Sequence, residues 1–438
     1  MLTYNVRIAF KSLRRNPYLT ALLLAAIALG ICISTTFTTL RHAFAKDPLP
    51  GHSSTLFYVR MDNWDPAQPY PSGDPHALPP QVSYPDLRAL MKSAIPTRQT
   101  GSFTAQLFIT PDPKVARPYQ EGVRLVFSDW FSMFEAPFQY GGGWDHAADA
   151  KPEPVVVIDD ATNKKLFGGA NSIGKTVHID NRDFKVVGVL APWRPTVRYF
   201  DPNGAFVNAP EAIYLPFNFT QSMQIRSTGN SDGWKNYTIN TFDDFLNAKD
   251  IDWIQFWVEL PTTDKQAAYR EFIDNYVRDQ KKHGRFERPL NNRVTNLEQT
   301  LGDFKIVQPQ MSAMAAVSLL FLAVCSLNLV GLLLGKFLAR APEISVRRAL
   351  GASRAQIFLQ HIVECEVVGI IGGLIGVPLS IGVLALLTKV LPGNIPIHLD
   401  AQMIVAAVFL SLVAGFVAGV YPAWRVCTMP PAIQLKLQ

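Results

Sequence analysis

Residues 169–176 read "GANSIGKT", which places Gly169, Gly174, Lys175 and Thr176 in the G-x-x-x-x-G-K-[ST] spacing of a phosphate-binding loop. Such a loop binds ATP when a strand precedes its first glycine and a helix follows its lysine, because the amides of that turn and helix cradle the phosphates. The surroundings here run the other way. "ATNKKLF" ahead of Gly169 reads as helix, and "TVHIDNRDFKVVGVL" after Lys175 alternates as strands do. Gly169 and Gly174 are therefore expected to serve turns, and Lys175 to face solvent. No second enzyme constellation stands out. The histidines are scattered without H-E-x-x-H, there is no C-x-x-C, and Asp159-Asp160 is better explained by a helix cap than by a catalytic dyad. The chain is expected to be no enzyme and to hold neither metal nor cofactor.

The elements that carry these residues follow from composition. Of 438 residues, 48% are hydrophobic and only 17% charged, against about 25% charged in a soluble chain. The deficit lies in the runs Asn16–Leu40, Ile306–Gly335, Val367–Thr388 and Ala401–Trp424, which lack Asp, Glu, Lys and Arg. Each reaches the roughly 20 residues a helix needs to cross a bilayer. The first run follows "RIAFKSLRRNPY" but shows no clear small-x-small cleavage site, so an uncleaved helix is expected rather than a signal peptide. Net charge is +6, and its placement matters more than its size. Residues 1–18 hold Arg7, Lys11, Arg14 and Arg15 with no acid, and 336–362 hold Lys336, Arg340, Arg347, Arg348 and Arg354 beside Glu343. The positive-inside bias puts both segments and both termini in the cytoplasm. Residues 41 to about 305 then lie outside. Basic residues that flank spans speak for lipid and against a nucleic-acid partner. The four cysteines lie in, beside or after the spans, so the outer region must rely on its core rather than on disulfides.

That outer region reads as mixed α and β. Strands are expected at 54–62, at 98–110, at the start of 154–169 ahead of a helix, and at 252–260. A short helix is expected within 82–91, a core helix and turn within 123–144, and a hairpin at 175–192 turning on Asp180-Asn181. The amphipathic helix 265–284 carries Tyr269, Phe272, Ile273 and Tyr276 at helical spacing.

In the membrane part, Gly331 and Gly335, Gly369 and Gly373, Gly372 and Gly376, and Gly415 and Gly419 each have the small-x-x-x-small spacing that lets helices approach closely. The spacing fits packing inside one bundle and a subunit interface alike. Glu364 and Glu366, near the start of the third span, are expected to be hydrated or hydrogen-bonded rather than a proton site. Residues 2–15 form an amphipathic helix with the stripe Leu2, Val6, Phe10 and Leu13, suited to the bilayer surface. Residues 341–364 read as a short basic helix, opened by Pro342 and Glu343 and stopped at Gly351. Ser353 then caps a helix running into span 3. The short helix suits phospholipid heads or a partner that pushes on it.

"EISVRRALGASRAQIFLQHIVECEVVGIIGGLIGVPL" (343–379) resembles the signature of FtsX-type permeases, and "GFVAGVYPAWRV" (415–426) the end of their fourth span. "NVRIAFKSLRRNPYLTALLLAAIALG" (5–30) and "LFGGANSIGKTVHIDNRDFKVVGVL" (166–190) resemble the MacB-like first span and periplasmic domain. The resemblance implies an α+β membrane protein: four transmembrane helices with a large mixed α/β periplasmic domain between helices 1 and 2. It implies a permease subunit of a type VII ABC transporter in the bacterial inner membrane. ATP and Mg would sit on a separate cytoplasmic ATPase dimer, which drives the periplasmic domains by mechanotransmission. By position, Glu343, Arg347, Arg348, Gly351 and Ala352 match the ATPase-coupling segment. Further implied partners are a second permease copy or paralogue and membrane lipids, with a periplasmic adaptor and outer-membrane channel in the exporting members. The implied function is export of a drug, peptide or toxin from the periplasm. FtsX-like signalling to a periplasmic hydrolase and lipoprotein extraction are the alternatives. The family's acidic tail after span 4 is replaced here by Pro430, Pro431, Ala432, Ile433, Gln434, Leu435 and Lys436.

The expected segments are a cytoplasmic amphipathic helix at 1–18, transmembrane helices at 19–40, 311–338, 365–388 and 401–424, and the periplasmic domain at 41–305. Within that domain, porter-like parts at about 50–122 and 216–300 flank an inserted subdomain at about 123–215. A coupling segment at 339–362, a short periplasmic loop at 389–400 and a cytoplasmic tail at 425–438 complete the chain.

Overall fold

The computed structural model describes residues 2–72, 74, 76–111, 117–202, 208–306, 309–390 and 397–428. Residues 391–396 of the expected loop and the segment from Pro430 to Lys436 lie outside them. The chain divides into two units: Asp47–Ile306, and the segments before and after it.

The first segment holds α1 (Leu2–Arg15) and α2 (Pro17–Ala45), with Pro17 in the first turn of α2, where its missing N–H costs nothing. The middle unit runs β1 (Leu56–Arg60), α3 (Tyr84–Leu90), β2 (Arg98–Thr110), β3 (Tyr119–Val126), α4 (Asp129–Met133), β4 (Phe138–Gly141) and α5 (His146–Ala150). It continues with β5 (Val155–Ile158), α6 (Asp160–Phe167), β6 (Thr176–Ile179), β7 (Arg182–Leu190), β8 (Ile213–Pro216) and α7 (Phe219–Ser222). Then come β9 (Asp232–Gly233), α8 (Phe242–Asn247), β10 (Ile251–Asp252), β11 (Gln255–Glu259), α9 (Thr263–Lys282), β12 (Arg293–Asn296) and α10 (Leu297–Asp303). The last segment holds α11 (Pro309–Leu338), α12 (Ala341–Ala349), α13 (Arg354–Val390) and α14 (Ala401–Thr428).

In the middle unit β2 pairs with β3, β3 with β8, β8 with β5, β5 with β7, β7 with β6, and β6 returns to β2. Six strands thus close a barrel, and β11, β1 and β12 extend its sheet from β2. Alternation along β2 sends Phe103, Ala105, Leu107 and Ile109 to one buried cluster, joined by Val123, Leu125, Val156, Ile158, Val177, Phe184, Val186, Ile213 and Leu215. The opposite faces of β1, β3 and β11 feed a second core around Trp130, Phe134, Phe200, Tyr214 and Trp257. The barrel takes strands from the stretch around 123–215 and from the stretch before it.

The hairpin at Asp180-Asn181 has φ of 42° and 64°, the left-handed pair that matches strand twist in a two-residue turn. Residues 123–126 continue β3 instead of starting a helix, so the core helix of 123–144 shrinks to α4. Buried Val123 and Leu125 alternate with Arg124 on a strand paired on both sides, and that pairing prevails over local helical patterning.

Arg124 crosses this second core fully buried. Its Nε donates to Glu211 Oε2 at 2.8 Å and its Nη2 to Asp201 Oδ2 at 2.5 Å. Arg198 Nη2 donates to the same two carboxylates at 2.7 and 2.6 Å, and Gln255 Nε2 to Asp201 Oδ1 at 3.0 Å. Burial pushes the Glu211 carboxyl up, but Arg124 and Arg198 outweigh it and hold the group at about 2. A second buried pair joins α3 to the chain after α9: Arg285 donates to Asp86 at 2.9 and 2.8 Å, and the Tyr276 hydroxyl adds a bond at 2.6 Å.

Among the described residues, the other unit contains four helices long and apolar enough to cross a membrane: α2, α11, α13 and α14. Their lipid-accessible faces expose Val317, Leu320, Leu327, Leu374, Val405 and Phe409. α13 is longer than the expected span, because residues 354–364 and the membrane run form one continuous helix.

Candidate functional site

The phosphate-loop motif is built in reverse order for nucleotide binding. Asp159 caps α6 by accepting from Thr162 N at 2.7 Å, and Gly168 ends that helix at φ +72°. Gly169 and Gly174 both have φ +85°. The Gly174 amide donates to Val186 O at 2.8 Å, so strand pairing occupies a donor that a phosphate would need. Lys175 is exposed, with Nζ 4.9 Å from the Phe167 ring centroid. Among the described residues no group of three or more His, Cys, Asp or Glu is placed to hold a metal ion.

The basic end of the bundle has a different organisation. α12 has Pro342 in its first turn and Glu343 near its positive pole. Arg347 and Arg348 lie in its last turn. Glu343 Oε1 accepts from Arg347 Nη2 at 2.8 Å, one turn on. Both side chains are substantially exposed, so the pair contributes about 0.3–0.5 kcal/mol. Arg15 of α1 approaches the same carboxylate at 3.9 Å. Arg347 also reaches Gln360 of α13 at 3.4 Å, and Arg348 reaches the Cys427 carbonyl of α14 at 3.4 Å. Gly351 takes φ +101°, a conformation that favours glycine, and the Ala352 amide closes the turn on Arg347 O at 3.1 Å. Ser353 then caps α13: Gln356 N donates to Ser353 Oγ at 3.2 Å, and Gln356 Oε1 accepts from Ser353 N at 3.1 Å. While Ile344 and Ser345 face the bundle, Val346 and Leu350 stay exposed, Leu350 at 83%.

Beneath α12 lies a buried polar node. Lys336 Nζ sits 2.6 Å from Glu364 Oε1, and both side chains are 1% exposed. Arg340, immediately before α12, approaches the other carboxylate oxygen at 3.7 Å, and His361 at 3.9 Å. The Ser12 hydroxyl of α1 donates to Glu364 and accepts from Arg340 Nη1 at 2.6 Å. One carboxylate therefore ties α1, α11 and α13 together at the root of α12. Burial of a charge is tolerated only with such partners. Lys336 belongs to this pair inside α11 and not to the exposed basic loop in which the sequence count placed it. Glu364 is hydrogen-bonded. The node is hard to see in a sequence because Arg340, Lys336 and Ser12 lie 24, 28 and 352 positions from Glu364.

α1 also buries a face beside the apolar stripe expected at the bilayer surface. Ala9, Ser12 and Leu13 are buried while Phe10 is 49% exposed. Ser12 turns inward because Glu364 and Arg340 satisfy it, and this rotates Phe10 out. The side chain of Leu2 lies outside the described residues.

The glycines fall into two groups. A methyl group on Gly369 would meet Ser411 O at 2.8 Å and Gly415 Cα at 3.3 Å, and on Gly373 it would meet Ser411 Oγ at 2.7 Å. On Gly415 it would meet Cys365 O at 3.1 Å, and on Gly419 the Cys365 side chain at 2.6 Å. α13 and α14 thus touch nearly backbone to backbone. Gly372 and Gly376 allow the same approach to Ile27 and Ala28 of α2. Gly331 and Gly335 are exposed on α11, with nothing within 4 Å of a methyl group among the described residues.

Residues 20–276 match the family described as MacB-like periplasmic core domain, and residues 315–431 the family described as FtsX-like permease C-terminal. The macrolide export ATP-binding/permease protein MacB of Acinetobacter baylyi is 25% identical over 312 residues, covering 71% of this chain and 42% of that one. The pyoverdine export ATP-binding/permease protein PvdT of Pseudomonas aeruginosa is 24% identical over 315 residues, covering 71% and 41%. The ABC transporter permease YknZ of Bacillus subtilis is 25% identical over 285 residues, covering 65% and 62%. The chain thus spans less than half the length of the two export proteins.

Proposed function

Because the chain belongs to the family of permeases with a MacB-like periplasmic core and an FtsX-like C-terminal region, we propose that it is the non-catalytic membrane subunit of an ATP-driven mechanotransmission transporter. It is a multi-pass inner-membrane protein whose α12 lies on the cytoplasmic side, by the positive-inside bias of α1 and the 336–362 segment. A separate cytoplasmic ATPase dimer, carrying ATP and Mg, engages the exposed surface of α12 through Val346, Arg347, Leu350 and the turn at Gly351 and Ala352. Displacement of α12 passes into α11 and α13 through the Lys336–Glu364–Arg340 node. The periplasmic unit follows because α2 and α11 continue into it. A second permease copy or paralogue packs on the open Gly331 and Gly335 face of α11, while Gly369, Gly373, Gly415 and Gly419 hold α13 to α14. The cargo is a drug, peptide or toxin taken from the periplasm, with an adaptor and outer-membrane channel as further partners.

The observation that supports this reading most is the buried node at the root of α12. A helix that merely lay on lipid would gain nothing from a desolvated ion pair anchoring it to two spans. The test is Arg347→Glu with Arg348→Glu, reconstituted with the partner ATPase. Stimulated ATP hydrolysis should fall about tenfold or more while membrane insertion is retained. Unchanged stimulation would remove α12 from the coupling path. Co-purification separates the uses of the motion: an adaptor with bound cargo supports export, whereas a periplasmic hydrolase or a lipoprotein supports signalling or lipid extraction.

A further inference from the structure

The middle unit has a cleft of about 690 Å³ between α3, the end of α5 and α7, within the 300–1,000 Å³ range of small-molecule sites. Its inner wall is aromatic. Phe127 and Phe217 stack with centroids 4.7 Å apart and planes 12° apart, and Tyr84 continues the row at 6.4 Å from Phe217. Phe217 is buried, while Tyr84 and Phe127 are half-buried and line the open space. The lip carries Arg88 and Lys92, one helical turn apart and both exposed. Neither side chain has an ion-pair or hydrogen-bond partner among the described residues.

Asp149, the acid that lines the cleft, forms no ion pair with either of them. Its carboxylate already accepts from the Ser128 amide at 3.0 Å, the Ser128 hydroxyl at 2.6 Å and the Trp144 indole at 3.4 Å, with His146 at 3.7 Å. An apolar aromatic wall beside two uncompensated cations is complementary to one class of small molecule. Neutral apolar bodies would leave the cations without a counter-charge, and organic cations would be repelled.

We propose that this cleft binds an amphipathic anion, with its apolar body against Tyr84, Phe127 and Phe217 and its carboxylate, sulfonate or phosphate held by Arg88 and Lys92. The assignment stands apart from the export reading, because binding is measured without an ATPase.

The experiment uses the full chain in lipid nanodiscs with 2-naphthalenesulfonate as probe and 2-naphthylmethanol as its neutral counterpart, read by saturation-transfer NMR against empty nanodiscs. Saturable binding of the sulfonate above the empty-disc signal is expected. Arg88→Gln with Lys92→Gln should weaken the sulfonate about tenfold, as expected for two partly exposed charge contacts, and leave the neutral probe unchanged. Ala150→Trp, at an exposed lining position, should abolish sulfonate binding by filling the cleft. Binding no greater than to empty discs would overturn the proposal. So would sulfonate binding that survives A150W, or that R88Q/K92Q leaves within twofold.

Discussion

Replacing Lys336 with Met removes the partner that sits 2.6 Å from Glu364 in a site where both side chains are 1% exposed. The methionine fills a similar volume, so the change isolates the charge. Breaking a buried pair by removing one member costs about 3–5 kcal/mol, because the other charge stays desolvated. Arg340 remains 3.7 Å from the carboxylate and Ser12 still donates to it, which places the expected loss near 3 kcal/mol, a shift of about 100-fold in the folded population. Glu364→Gln should cost about as much by stranding Lys336. The double variant K336M/E364Q should be more stable than the sum of the single losses implies, by about 2 kcal/mol. The protein supplies its own probe. Cys32, Cys325, Cys365 and Cys427 are free, buried and confined to the helical unit, so maleimide labelling during equilibrium unfolding in mixed micelles reports that unit alone. Glu343→Gln, in the exposed pair on α12, is the control and should cost under about 0.5 kcal/mol. If K336M and E364Q each cost less than about 1 kcal/mol and their effects add, the buried pair is not what anchors α12.

Other outcomes can be checked separately. Lys175→Ala should leave nucleotide turnover by the assembled complex within twofold, since the Gly174 amide already donates to Val186 O and the Lys175 amide to Ser172 O; abolished turnover in a folded complex would restore the motif as a nucleotide site. Gly369→Val should lower bundle stability by about 1–3 kcal/mol, because its Cβ meets backbone atoms that cannot yield. Gly331→Val should be silent for the isolated subunit, both read by thiol labelling. Glu211 titrates near 2 when folded, below the ordinary carboxylate value, so its stabilisation is present above about pH 4.5 and lost as pH falls through 2. The stability gap between wild type and Glu211→Gln should narrow by about 3 kcal/mol over that window, measured by chemical denaturation with tryptophan fluorescence. A gap independent of pH would mean that Arg124 and Arg198 do not hold the carboxylate.

Much of this architecture is legible where local chemistry decides. Four uncharged runs announce the spans, the Asp180-Asn181 turn follows from residues that tolerate positive φ, and Asp159 and Ser353 cap the helices they precede. Non-local pairing is less visible. β8 is only four residues, all buried, and its place depends on lying between β3 and β5, partners more than 50 residues earlier in the chain. The same blindness hid Arg124 with Asp201, Arg198 and Glu211, which meet only when the second core packs on the face of β3 that points away from the barrel interior. Charge counting found the basic character of 336–362 but could not separate Lys336 and Arg340, which neutralise Glu364, from Arg347 and Arg348 on the helix beyond. Hydrophobic periodicity found the apolar stripe for the bilayer surface but not the inward turn of Ser12, because no periodicity rule credits a serine with a distant carboxylate.

The pairing of β1 with β12 has a mechanical meaning. They run antiparallel with Phe57 opposite Asn296 and Arg60 opposite Arg293, so the incoming and outgoing polypeptide meet side by side at one end of the sheet. The ends of α2 and α11 are also neighbours, with Arg41 Nε donating to Ser312 Oγ at 3.3 Å. Tension applied equally to β1 and β12 would not shear the ladder between them. A tug on one alone would peel β12 from β1 bond by bond. Under the proposed function, a stroke that moves α2 and α11 in unison leaves the β1–β12 ladder unloaded, and a stroke that separates them frays it.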